Sequence, residues 1–305
     1  MNKTAFWGHL LNAVKYYSIE LPRTVLLLRF ARLSVFSSED TIAHILSTRC
    51  SVSRFGDGEF AIAFGESIYF QKVTPELQEE IRNVLATKQN NLLVCIPHCL
   101  SVYGHGDFRP VYARAWDRLA LMFVPKIITL LGRRKDDMIF GDANISRPYM
   151  IFKNRMTHAK SIFDGIKGLW FERDILIVEG EESRLGVGND LFDGAKSIRR
   201  VVCPATNAYN RIDEIEDSVV RHVKGALVLM ALGPTATVLA ARLSRRGIQA
   251  IDIGHVDVEY MWYKMGAKEK VAIPGRYVHE ASGHKNPVPQ CVDPDYVSSI
   301  VDKIL

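Results

Sequence analysis

Short apolar runs bounded by polar turns recur along the chain. VSRF (52–55), LLVCIP (92–97), DMIFG (137–141), DILIVEG (174–180), SIRRVVCP (197–204), ALVLMALG (226–233) and QAIDIG (249–254) read as strands. Most are apolar throughout rather than alternating, the pattern of strands covered on both faces. Between them apolar positions recur every three to four residues and predict helices. One follows the cap Ser37-Ser38-Glu39-Asp40. Others span 75–88 (opened by Thr74-Pro75-Glu76), about 109–131, about 149–167, 210–223, 234–247 (closed by Gly247) and 255–266. Pro125 is expected to kink or split the 109–131 helix. Alternating short strands and helices specify an α/β fold. The expectation is a Rossmann-like, mostly parallel sheet with helices on both faces.

The ends of the chain break this rhythm. Residues 1–36 set Lys3, Lys15, Arg23, Arg29 and Arg32 against Glu20, among Trp7, Tyr16, Tyr17 and the run VLLLRFARLSVF. Two readings stand: a helix lying on an anionic membrane face, or a helix packed on the body of the protein. The organisation expected is an N-terminal basic and apolar extension (1–44), an α/β domain (45–270) and a loop-like tail (271–305) that covers the site. The seventeen residues between Lys224 and Arg242 carry no charge, but Gly233-Pro234 breaks them. They read as strand, turn and helix, not as a membrane span.

With 305 residues, 48% of them hydrophobic, the chain can bury a large core without a disulfide scaffold. Five cysteines, an odd number, and no secretory leader at the start favour a reducing, cytoplasmic setting. The net charge of +5 suits anionic partners and chooses among none of them.

In such sheets ligands bind beyond the carboxyl ends of the strands. Four polar segments fall there: DGE (57–59), EGEESRLGVGND (179–190), GPTA (233–236) and GHVDVE (254–259). Read as extended chain, Asp57 and Glu59 point to one side and could grip one divalent cation, Mg²⁺ or Mn²⁺, shared with phosphate oxygens. The alternative is a polar turn. Gly233 and Thr235 offer backbone N–H groups and a hydroxyl to an anion, or simply a tight turn. In GVGND, Gly188 permits close backbone approach, and Asn189 and Asp190 are candidates for a ribose, a base edge or a sugar hydroxyl. The full dinucleotide fingerprint is absent, which argues against a nicotinamide cofactor. Arg184 is a candidate phosphate contact, or the partner of Glu181 or Glu182. His255, Asp257 and Glu259 are candidates for a third metal ligand or a general base, or for a cap and solvated charges. Cys95, His98, Cys99, His105 and Asp107 have zinc-compatible chemistry, but their spacing is not that of a structural zinc site. Buried cysteine beside a polar loop is expected.

RFGDGEF (54–60), SRLGVGNDLFDGAKSIRRVVCPA (183–205), LGPTATVLA (232–240) and DIGHVDVEY (252–260), in this order, resemble the GT-D-fold glycosyltransferases over roughly residues 45–270. The resemblance implies a GT-D-type Rossmann-like fold and transfer of a hexose from a nucleotide sugar, a UDP-sugar foremost. It also implies an essential D-x-E pair, Asp57 and Glu59, working with Mn²⁺ or Mg²⁺. On that reading His255 is a further metal ligand. Arg54, Gly56, Arg184, Gly188, Asn189, Asp190, Gly233 and Thr235 seat the nucleotide, and Asp257 or Glu259 deprotonates the acceptor. The acceptor expected is a glycan, glycoprotein or lipid-linked sugar in polysaccharide assembly, not nucleic acid, with residues 1–36 as a peripheral contact on the inner membrane face. The competing functions are a metal-dependent phosphoester or nucleotide hydrolase and a non-catalytic nucleotide-binding module.

Overall fold

The computed structural model describes residue 7 and residues 11–102, 106–282 and 288–305. Its strands are β1 (Ser34–Val35), β2 (Ser51–Arg54), β3 (Leu92–Ile96), β4 (Ile139–Asp142), β5 (Asp174–Gly180), β6 (Ser197–Cys203), β7 (Leu227–Ala231), β8 (Ala250–Asp252) and β9 (Ile300–Lys303). They form one sheet in the order β1-β4-β3-β2-β8-β7-β5-β6-β9. Every pairing within it is parallel.

The apolar runs are continuous because successive side chains enter different cores. Ile175, Ile177, Leu227 and Leu229 join one cluster with Val52 and Ile251, under the helices Ser38–Thr48, Arg155–Lys167 and Val256–Lys264. Leu176, Val178, Val228 and Met230 point the other way, against Ile212–His222 and Pro234–Arg245. Val94 and Ile96 share that second face with Pro75–Ala86 and Pro110–Leu131. Helix starts follow local chemistry: the Ser37 hydroxyl accepts from the Asp40 N–H at 3.0 Å and the Thr74 hydroxyl from the Leu77 N–H at 3.2 Å.

Several expectations change. Pro110–Leu131 runs unbroken through Pro125, whose neighbours Val124 and Ile127 are fully buried. The helix expected from 149 begins at Arg155. The Lys153 N–H, which a helix from 149 would give to the Tyr149 carbonyl, goes to the Asp107 carbonyl, and the Ile151 carbonyl accepts from the Arg109 N–H. The tail is not all loop, since Pro294–Ser299 is helical and β9 pairs with β6. Of the N-terminal segment, residues 1–6 and 8–10 lie outside the described residues. The helix Leu21–Ala31 packs on Pro110–Leu131, where the Tyr16 hydroxyl donates to Asp117 and the Thr24 hydroxyl to the Asp117 carbonyl. No helix among the described residues is long and apolar enough to cross a membrane.

The chain leaves β2 outward to β3 and β4, crosses to β5, and returns through β7 to place β8 against β2, with Val52 opposite Ile251. The crevice beyond the ends of β2 and β8 is thus the topological switch point.

Candidate active site at the switch point

The DGE motif opens a helix, Asp57–Ala63, rather than continuing the strand. On a helix, positions i and i+2 are about 200° apart. The expected convergence of two carboxylates therefore does not occur. Asp57 is exposed in the first turn, and Glu59 is buried. One Glu59 oxygen accepts the Gly56 N–H at 2.7 Å, so this residue fixes the turn that presents Asp57. Burial pushes the Glu59 carboxyl up, against the pull of Arg54.

Arg54, at the end of β2, lies across the backbone of Gly254. A Cβ at Gly254, whose φ is +42°, would fall 1.9 Å from the guanidinium. Only glycine allows that approach. Arg54 sits 3.8 Å from Asp252 at the end of β8. Burial pushes the Asp252 carboxyl up to about 7, against the attraction of Arg54. The Thr237 hydroxyl lies 3.0 Å from the Arg54 carbonyl and 3.4 Å from the Asp252 carboxylate, between the two strand ends.

Above this floor, Glu280 from the tail meets three partners. Its carboxylate is 2.7 Å from Arg147, 2.7 Å from His255 Nε2 and 3.6 Å from Lys270. Burial works against the ionised form, but Arg147 and then His255 hold the Glu280 carboxyl well below the usual range. Burial lowers the Arg147 pKa, but Glu280, Glu259 and Asp57 outweigh it and raise it. Burial first and Arg147 second lower the pKa of His255, against the pull of Glu280. With Nε2 engaged by Glu280, His255 does not present that nitrogen to a metal.

The other acids support loops. One Asp257 oxygen accepts from the Gly186 N–H at 2.9 Å and from Asn189 Nδ2 at 2.8 Å, while the other lies 2.8 Å from Arg276 Nε. Burial raises the Asp257 carboxyl despite Arg276. One Glu259 oxygen accepts the Tyr149 and Met150 N–H groups, both at 2.9 Å. Both carboxylates are buried, and the other Glu259 oxygen, Oε1, has no hydrogen-bond partner among the described residues. Arg184 is 7% exposed and bonds the Gly275 carbonyl at 2.7 Å and the Pro289 carbonyl, so it holds the tail instead of a surface acid. Asn189 is used internally. Asp190 accepts from Tyr260 at 3.0 Å and pairs with Lys264 at 3.1 Å. Gly188 is open: among the described residues nothing lies within 4 Å of where a Cβ would stand.

At the end of β7, Gly233 caps the helix Pro234–Arg245. Thr235 is fully buried there, and its hydroxyl has no hydrogen-bond partner among the described residues. Cys95 and Cys99 are buried free thiols, both raised well above the ordinary value by burial, and His105 lies outside the described residues. Among the described residues, no group of three or more His, Cys, Asp or Glu could hold a metal ion unaided. The exposed Asp57 carboxylate nevertheless fits a hard cation that takes one or two protein carboxylates and completes its shell with phosphate and water.

Arg147, Asp252, Lys270, Arg276 and Glu280 were not singled out by the sequence. Asp252 sits inside a noted motif. The others come from segments with no motif at all.

Residues 52–281 match the family described as "Glycosyltransferase GT-D fold". Glycosyltransferase GlyD of Streptococcus pneumoniae is 36% identical over 278 residues, 90% of this chain and 33% of its own length. A probable glycosyl transferase Gly of Streptococcus gordonii is 36% identical over 250 residues, 82% of this chain and 36% of its own length. The chain thus spans about a third of these curated relatives. A solved structure described as a highly conserved domain of unknown function with a distinct glycosyltransferase fold matches with TM-score 0.85 and 35% identity, covering 94% of this chain and 100% of that one. A structure described as a new glycosyltransferase from Streptococcus sanguinis matches with TM-score 0.79 and 35% identity, covering 90% of this chain and 100% of that one. The fold, the four motifs at its strand ends and these matches together place the chain in the GT-D-fold glycosyltransferase family.

Proposed function

We propose that this chain transfers a hexose from a nucleotide sugar, a UDP-sugar foremost, to a hydroxyl of a glycan, glycoprotein or lipid-linked acceptor. The observation that carries this reading is the exposed Asp57 carboxylate at the β2/β8 switch point, held out by a buried Glu59 beside the cationic Arg147. Asp57 would hold Mn²⁺ or Mg²⁺. When bound, the cation neutralises charge on the leaving diphosphate. The chain's own residues orient the substrate. Glu59 fixes the turn, and the Thr235 hydroxyl is an uncommitted donor. Arg54 and Asp252 set the floor.

Incubation with UDP-hexoses, Mn²⁺ and glycan acceptors tests this reading. A new glycoside supports it. Free UDP and sugar, with no glycoside on any acceptor tried, would indicate a hydrolase instead. Donor binding is read separately, because a ligand of the native state raises the melting midpoint by mass action.

We also propose that the N-terminal helix contacts an anionic membrane face. It turns Leu11, Val14, Leu26 and Phe30 outward, with Lys15, Arg23, Arg29 and Arg32 along the same segment. Its acid, Glu20, is neutralised by Lys15 and Arg118. Sedimentation with phosphatidylglycerol vesicles that is unchanged in a Leu26→Glu/Phe30→Glu variant would remove this contact.

A further inference from the structure

Glu280 occupies a place that suits an anion better than it suits a tail residue. Three donors on three segments converge on its carboxylate. Arg147 follows β4, His255 follows β8, and Lys270 leads into the tail. Arg147 is 30% exposed and Glu280 is 20% exposed, so the cluster is part-open to solvent. Lys270 is further seated over the Tyr112 ring, 5.5 Å from its centre. The exposed Asp57 carboxylate also interacts electrostatically with Arg147. The side chain that fills the cradle belongs to a single helical turn, His279–Ser282.

We infer that Arg147, Lys270 and His255 form a phosphate-binding pocket, that it receives the diphosphate of a nucleotide ligand, and that Glu280 is its built-in competitor. The inference rests on the nucleotide-sugar reading above for the identity of the ligand, but not for the existence of the pocket. A guanidinium fork, an ammonium and an imidazole N–H match the several oxygens of a phosphate more fully than the two of a carboxylate. Entry of the phosphate turns the Glu280 side chain out toward solvent and leaves its backbone turn in place. Val278, fully buried, anchors that turn. A pocket closed nine-tenths of the time weakens apparent affinity about tenfold, so the competitor acts as a threshold on donor binding.

The test measures binding of UDP, inorganic pyrophosphate and uridine by calorimetry to the full chain, Glu280→Gln, Arg147→Gln and the double variant. Expected are about tenfold tighter UDP and pyrophosphate binding in Glu280→Gln, about tenfold weaker binding in Arg147→Gln, and no gain from Glu280→Gln once Arg147 is gone. Uridine, which lacks phosphate, is expected to bind all four alike. That control separates a local pocket from general loosening of the tail. UDP bound equally by all four proteins overturns the pocket and leaves the donor reading intact. Pyrophosphate following the expected pattern while UDP and uridine fail to bind keeps the pocket and removes the nucleotide donor. No binding of either phosphate ligand by any of the four overturns both.

Discussion

The DGE turn and the GVGND loop look alike in sequence, each a pair of glycines interleaved with acids or an amide at a strand end. In the fold they do opposite things. The DGE turn uses one acid, Glu59, to hold the backbone and pushes the other, Asp57, into solvent. The GVGND loop is closed from behind: Asp257 accepts from the Gly186 N–H and Asn189, Arg276 donates to the Val187 carbonyl, and Asp190 accepts from Tyr260 and pairs with Lys264. A carboxylate at a strand end is therefore no measure of chemistry until its oxygens are accounted for. The buried ones hold backbone N–H groups in place, and the exposed one, Asp57, is the candidate for function.

Three changes would break or sharpen this contrast. The largest effect is expected from Asp257→Ala, which leaves buried Arg276 without its partner and frees the 186–189 turn. Removing one member of a buried pair costs about 3–5 kcal/mol, read as a lower denaturant midpoint. A loss under about 1 kcal/mol, the scale of an exposed pair, would place Asp257 with Asp57 instead. Next is Asp57→Asn. Glycosyl transfer should fall about 100-fold, with the melting midpoint unchanged, if the carboxylate meets a cation only in the reaction. Full activity would return the DGE motif to a mere turn.

The smallest effect concerns pH. Asp252 has its folded pKa raised to about 7 from an ordinary 3.8, so the folded state binds a proton more tightly than the unfolded chain. Its contribution to stability is complete below about pH 4 and is lost as pH rises through about 7. Burial raises Glu59, Glu179, Asp257 and Glu259 in the same direction. Unfolding at pH 5 and pH 8 should show wild type losing stability toward pH 8, and Asp252→Asn losing less. An equal loss in both would mean that Arg54 keeps Asp252 ionised throughout.

The strands were legible because each is a dense apolar run, and the helices because their caps are local: Ser37, Thr74-Pro75 and Gly247 act within a turn of themselves. Segments whose partners are remote were not legible. β1 and β9 are short edge strands defined only by β4 and β6. The delayed start at Arg155 depends on the remote segment 107–109, which takes the Lys153 N–H and the Ile151 carbonyl. At the site, Asp57 was legible because glycine and acid together mark a strand end. Arg147, Lys270 and Glu280 were not, because nothing around them in sequence distinguishes them from surface charge.

By itself, the order of apolar runs determined a parallel sheet, and hence that function would gather beyond the ends of its strands, because side-chain period and burial act over a few residues. Which carboxylate stays exposed, and which cationic groups gather around the Glu280 that the tail brings, was decided only by the tertiary structure. Hydrogen bonds and ion pairs are settled by distance in space, and that distance is set by the crossing of β8 back to β2.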